Sequence, residues 1–194
     1  APMLAETHVQ FTERTGHKIL ERYGMTEGGM ITSNPYDGDR VPGTVGPALP
    51  DVEVRICAKD GTPVAAGEIG VLEYKGPNLF KGYWGMPEKT AEEFRSDGFF
   101  ISGDNAIMDI DGRVSIVGRD KDLIITGGYN VYPKEIEIEI DQMDGVIESA
   151  VIGLPHKDFG EGVTAVVVAK DDGGVTEDAL IDALKDKLAR FKQP

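Results

Sequence analysis

Three stretches of this chain combine residue types that could do chemistry. In Gly24-Met25-Thr26-Glu27-Gly28-Gly29, a hydroxyl, a carboxylate and glycines follow the short run Ile19 to Tyr23. A strand feeding such a loop presents backbone N–H groups and a hydroxyl to a phosphate. The hard oxygens of Glu27 suit a divalent cation. The same residues also make an ordinary surface turn with an incidental acid. In Ser102-Gly103-Asp104 a carboxylate ends the apolar run Phe99 to Ile101, where it can accept hydrogen bonds from ribose hydroxyls or cap the next element. The third stretch runs from Gly118 to Glu135: charges with turn chemistry, a strand-forming run, the double glycine Gly127-Gly128, then Pro133. Two glycines let backbone approach a ligand where any Cβ would clash. A strand, a turn and a helix start, with Pro133 in the first helical turn, explain the same residues.

The elements around these stretches set their positions. Residues 3–15 read as a helix, with Leu4, His8 and Phe11 at helical spacing and Gly16 as a stop. Residues 33–50 are rich in Pro, Gly and Asp and read as loop. Val52, Val54 and Ile56 alternate as a half-buried strand, and Ile69 to Tyr74 gives another. Phe80, Tyr83 and Trp84 form an aromatic cluster expected to pack in a core or between domains, and Pro87 to Phe94 reads as a short helix. Asn105 to Asp109 and Arg113 to Val117 flank Asp111-Gly112, a pair suited to a type I′ hairpin turn. Beyond it, Pro133 to Met143 reads as a helix, and Val146 to Leu154 and Val163 to Ala169 as strands. Thr176 caps a last helix with Leu180, Ile181, Leu184, Leu188 and Phe191 on one face. The fold class expected is mixed α/β: a mainly β portion, residues 1–119, then a small α+β unit, residues 120–194. The boundary falls within Arg119 to Asp122.

Composition narrows the partners. The 34 acidic residues exceed the 20 basic ones, for a formal net charge of −14. Such a surface repels nucleic acid and anionic membrane, though not a nucleotide held in a local site. Cys57 is the only cysteine, so an internal disulfide and a cysteine-rich metal site are excluded, and its alternating apolar run marks it as a buried small hydrophobe. His8, His17 and His156 show no metal-ligand spacing. No stretch is apolar enough to span a bilayer and no signal peptide is evident, so a cytoplasmic location is expected.

Taken in order, the motifs resemble those of the adenylate-forming superfamily of acyl-CoA synthetases, luciferases and peptide-synthetase adenylation domains. Tyr23-Gly24-Met25-Thr26-Glu27 resembles its YGxTE motif. Gly67-Glu68-Ile69, Gly76-Pro77 and Lys81-Gly82-Tyr83-Trp84 resemble the next block. Ser102-Gly103-Asp104 is similar to the TGD motif, with serine in place of threonine. Gly118-Arg119-Asp120-Lys121-Asp122 through Gly127-Gly128 to Pro133-Lys134-Glu135-Ile136-Glu137 resembles the hinge block. The Glu-Arg-Tyr-Gly-Met-Thr-Glu and Val-Ile-Gly-Leu-Pro-His segments look closest to malonyl-CoA synthetases.

The resemblance implies that residues 1–119 are the C-terminal part of a large AMP-binding domain and residues 120–194 a truncated, mobile C-terminal domain. It implies ATP, Mg²⁺ and coenzyme A as cofactors and co-substrates, with a small carboxylate as substrate. The carboxylate attacks the α-phosphorus of ATP, pyrophosphate leaves, the small domain rotates, and the CoA thiol displaces AMP. Carried over by residue, Glu27 holds Mg²⁺, Thr26 bonds phosphate oxygens, and both serve catalysis. Tyr23 covers adenine, Gly24 leaves room for the nucleotide, Asp104 grips the ribose and Arg119 reaches ribose or phosphate. Met25 lines the acyl pocket, Lys121 is the hinge, and Gly127 and Gly128 border the pantetheine tunnel. Glu135, at a helix start, caps or pairs. The family's phosphate loop and PxxxxGK lysine have no counterpart here, and Lys192 lacks the flanking glycine and proline of that motif. The uncapped start and the stop at Pro194 are those expected of a fragment, which alone should not catalyse adenylation. A malonate substrate needs a cation for its second carboxylate, and no residue here is an obvious candidate. The alternatives are a synthetase for another short or branched carboxylate, or a non-catalytic nucleotide-binding or interaction module.

Overall fold

The computed structural model describes residues 3, 5–170 and 175–194. Leu4, expected on the apolar face of the first helix, lies outside them. In helix α1 (Ala5–Thr15) the buried residue is His8, whose Nδ1 lies 3.2 Å from Glu21 Oε1. Phe11, expected on the same face, is 44% exposed.

Strand β1 (Arg22–Met25) pairs antiparallel with β2 (Gly29–Ser33). The sequence places a strand over Ile19 to Tyr23 and a loop over Gly24 to Gly29, but residues 17–21 lie outside any strand and β1 begins only at Arg22. The strand then runs through Gly24 and Met25, and the turn is only Thr26-Glu27-Gly28. Gly24 permits this, because a Cβ there would collide with the carbonyl of Gly29 across the hairpin.

An antiparallel sheet follows in the order β3 (Glu53–Cys57), β4 (Gly70–Lys75), β5 (Phe100–Met108) and β6 (Val114–Arg119), with helix α2 (Pro87–Glu92) between β4 and β5. Strand β4 is buried from Gly70 to Tyr74. One of its faces packs Leu72 and Tyr74 with Ile31, Phe100 and Val114 in the core. The other places Glu73 out of water, 0% exposed. A buried charge needs partners. Arg55, opposite Glu73 in register, lies 2.8 Å from one oxygen, and Arg95 lies 2.8 Å from the other.

The carboxylate of Asp104 was expected just past a strand end. It lies within β5 instead. Gly103 adopts a left-handed φ of +72°, and the register with β6 shifts after Asn105, so the strand continues through an irregularity that re-aims its side chains. The β5–β6 turn also differs from the type I′ expectation. Asp109 and Arg113 close a three-residue loop in which only Gly112, at +79°, has positive φ. That is a type I turn with a glycine bulge. Asp109 Oδ1 accepts the N–H groups of Asp111 and Arg113 at 2.9 and 2.8 Å, which favours it.

The chain divides into two compact units, the first ending at Asp120 and the second beginning at Lys121. The second holds β7 (Ile124–Thr126), β8 (Tyr129–Val131), α3 (Pro133–Asp141), β9 (Val146–His156), β10 (Gly160–Ala169) and α4 (Glu177–Lys185). Its antiparallel sheet has the order β8-β7-β10-β9. Ile136 and Ile140, four apart on α3, meet Val151 and Leu184 in its core. Thr176 Oγ accepts from Ala179 N–H at 3.3 Å and caps α4. The helix stops at Lys185, so Leu188 and Phe191 reach the core from the segment beyond rather than from the helix face. Among the described residues, no helix is long and apolar enough to cross a membrane. The architecture is mixed α/β, mostly sheet.

Candidate functional site

Three elements of the first unit bring Tyr23, Asp104 and Arg119 together. Asp104 on β5 faces Arg119 on β6 in direct register, and Arg119 Nε lies 3.3 Å from Asp104 Oδ1. Tyr23, 81 residues away on β1, donates its hydroxyl to Oδ2 at 2.5 Å. Asp104 is only 8% exposed. Burial, reinforced by the hydrogen bond to Asp104 and its charge, pushes the Tyr23 phenol well above its ordinary value, so it remains a donor. Ser102 holds the bulge: its hydroxyl donates to Leu72 O at 2.6 Å and accepts the N–H of Asp104 at 3.1 Å. A threonine hydroxyl would do the same, which is why the serine substitution in this motif is tolerable. A carboxylate has about four acceptor positions. Two are used among the described residues, leaving capacity for further donors.

The β1–β2 turn carries the second cluster. Met25 is half-buried against the core, with its sulfur 3.8 Å from the Tyr23 hydroxyl. Thr26 is exposed and makes no side-chain hydrogen bond among the described residues. Glu27 Oε1 accepts from the Tyr83 hydroxyl at 2.9 Å, and no other hydrogen bond reaches the Glu27 carboxylate among the described residues. Burial first, then the Glu27 contact, push the Tyr83 phenol up to about 12. The backbone of the turn is braced from the same segment. Phe80 N–H donates to Glu27 O at 2.7 Å, and Asn78 Nδ2 donates to Gly28 O at 2.5 Å. Gly28 packs on the Tyr74 ring, where a Cβ would sit only 2.6 Å away.

The aromatic cluster is therefore divided. Phe80 stacks on Phe94 and meets Phe100 edge to face, Tyr83 turns toward Glu27, and Trp84 is 99% exposed, so of the expected core or interdomain packing it takes no part in the first unit's core. The link between Tyr83 and Glu27, 56 residues apart, leaves no local sequence signal. Glu73 did leave one, an acid inside the apolar run Gly70 to Tyr74.

Among the described residues, no group of three or more His, Cys, Asp and Glu could hold a metal. A dedicated protein cage is thus absent from them. Glu27 nonetheless fits Mg²⁺ bound to a nucleotide, because that ion keeps its waters and phosphate oxygens and takes only one or two carboxylates from the protein.

Within the second unit, Lys121 is exposed on the short 3₁₀ turn Asp120–Asp122. Gly127 and Gly128 form the two-residue turn between β7 and β8, with φ of +56° and +84°. Positive φ at both positions by itself calls for glycine. Glu135 on α3 pairs with Lys192, whose Nζ lies 2.7 and 2.8 Å from its two oxygens.

Known proteins resemble this chain in sequence and in fold. The chain is 62% identical to ATP-bound MatB from Rhodopseudomonas palustris, covering 100% of this chain and 39% of that one, with a TM-score of 0.97. It is 42% identical to a malonate–CoA ligase of Arabidopsis thaliana, over 95% of this chain and 32% of that protein. It is 41% identical to a long-chain-fatty-acid–CoA ligase of Salmonella typhimurium, over 95% of this chain and 33% of that protein. The chain thus spans about a third of the length of the curated relatives it matches. Residues 1–84 match the profile of the AMP-binding enzyme family and residues 135–194 that of the AMP-binding enzyme C-terminal domain. This chain belongs to the AMP-binding enzyme family.

Proposed function

We propose that the protein carrying this chain is an AMP-forming acyl-CoA ligase, with ATP, coenzyme A and a small carboxylate as substrates, and that the carboxylate is malonate. The observation that carries the reading is the buried Asp104, held between Tyr23 and Arg119 on a strand bulge with acceptor capacity to spare. In this reading Asp104 binds the ribose, the Tyr23 ring lies along adenine, and the Arg119 guanidinium attracts ribose or phosphate oxygens. The Thr26 hydroxyl bonds a phosphate. Mg²⁺, when bound, would neutralise phosphate charge as two anions approach. Glu27 would orient it, and Thr26 and Arg119 would add donors where charge develops.

The first half-reaction joins the carboxylate oxygen to the α-phosphorus as the bond to pyrophosphate breaks. In the second, the thiol sulfur gives up its proton and bonds the acyl carbon as the acyl carbon–oxygen bond to AMP breaks. Met25, on the same strand face as Tyr23, lines the acyl side. Lys121 is the pivot between half-reactions, and the Gly127-Gly128 turn borders the path of the thiol. Residues 1–119 belong to the AMP-binding domain and 120–194 to the mobile C-terminal one. The proposed location is the cytoplasm, where ATP and coenzyme A are both available.

Malonate is supported by the resemblance of the Glu21–Glu27 and Val151–His156 segments to malonyl-CoA synthetases. The identities of 42% to a malonate–CoA ligase and 41% to a long-chain ligase are nearly equal, so substrate choice is the point to test. Arg55 and Arg95 are already paired with Glu73, so neither is available to a second substrate carboxylate. The test is thioester formation by the intact protein with malonate, methylmalonate, acetate and a long-chain fatty acid. Malonyl-CoA as the preferred product supports the reading. Preference for another acid keeps the ligase and discards malonate.

A further inference from the structure

We propose that Tyr83 is a positioning residue, whose hydroxyl fixes the Glu27 carboxylate so that its other oxygen is presented to a nucleotide-bound divalent cation. The proposal rests on the nucleotide-site reading above. Glu27 sits on a three-residue turn and would otherwise sample many rotamers, and the Tyr83 hydroxyl at 2.9 Å is its hydrogen-bond partner among the described residues. Tyr83 is itself anchored. Its ring meets Phe80 edge to face at 4.9 Å, and its backbone N–H donates to Thr90 Oγ at 2.9 Å. Thr90 in turn donates to Met86 O at 2.9 Å, at the start of α2. Gly82, at φ +142°, lies against the Thr90 side chain, where a Cβ would be 2.7 Å from its methyl group. The aromatic core and a helix start therefore fix the phenol that fixes the acid. The hydroxyl is not needed for any of the packing contacts. Outer partners of a metal ligand commonly contribute about 10- to 100-fold in metal affinity.

The test compares the intact wild-type protein with Tyr83→Phe, Glu27→Gln and the double variant. Mn²⁺ binding with a non-hydrolysable ATP analogue is followed by loss of the free-ion EPR signal. Tyr83→Phe should weaken Mn²⁺ binding about tenfold. It should raise the Mg²⁺ concentration for half-maximal pyrophosphate exchange by a similar factor, and high Mg²⁺ should recover the loss. In the Glu27→Gln background it should add nothing. If Glu27→Gln weakens Mn²⁺ binding and Tyr83→Phe does not, the positioning role fails while the metal role of Glu27 stands. If neither variant changes binding, the metal reading itself fails. A Tyr83→Phe loss that persists in the Glu27→Gln background, or that high Mg²⁺ does not recover, also overturns the proposal.

Discussion

Asp104 shows how one side chain gathers a site. Its carboxylate takes a phenol and a guanidinium from two other strands and stays nearly out of water. Charge-assisted hydrogen bonds of this kind are each worth about 2 kcal/mol. Asp104→Asn should therefore raise the Kd for ATP by ~30-fold, read by calorimetry on the intact protein. An unchanged Kd would remove Asp104 from the nucleotide. The tyrosines give a pH test. Tyr23, Tyr74 and Tyr83 are all raised above the ordinary value of 10.0, burial being the first cause for each. Folding thus favours their protonated forms. Their contribution is complete below pH 10 and is lost as pH rises toward and through the folded values. Absorbance at 295 nm should show fewer than the 6 tyrosines ionising near pH 10 while circular dichroism remains native, the rest appearing only with alkaline unfolding. All of them titrating together in the native state would contradict the burial account.

At the scale of elements, β4 is the member that everything else must accommodate, buried on both faces with a charge on one of them. Removing one partner of Glu73 leaves the acid short of donors. Arg95→Met should destabilise the first unit by about 2 kcal/mol, seen as a lower urea midpoint at unchanged slope. A midpoint equal to wild type would show that Arg55 suffices.

Much of this architecture was legible in the sequence, because alternation, β-branched runs and caps are local signals. Strand β3, helix α3 with Ile136 and Ile140, and the Thr176 cap are examples. The misreadings share one cause. Whether β1 stops at Tyr23 or runs to Met25 depends on Gly24 accepting a neighbour's carbonyl, which lies across the hairpin. Whether Asp104 follows a strand or interrupts one depends on the sign of φ at Gly103. Asp-Gly allows a type I′ turn, but here the Asp109 side chain selected the alternative. Trp84 and Tyr83 look alike as aromatics in sequence. Only tertiary neighbours separate the exposed ring from the one bonded to Glu27.

At the scale of the whole molecule, the chain passes from the first unit to the second between Asp120 and Lys121. In the proposed reaction the second unit serves the thiol step, so stiffening the pivot should separate the two half-reactions. Lys121→Pro fixes φ at the pivot and restricts Asp120 before it. It should leave adenylation within about threefold and slow thioester formation by at least tenfold, on the order of the coupling expected for a conformational step. Equal losses in both would remove Lys121 as the pivot. The most direct measurement is carboxylate-dependent ATP–pyrophosphate exchange by the intact protein, with malonate as the first acid and Asp104→Asn and Glu27→Gln as controls. The account predicts malonate-stimulated exchange that each substitution strongly reduces. Absence of exchange with malonate and every other acid tried would contradict it and favour a nucleotide-binding or interaction module.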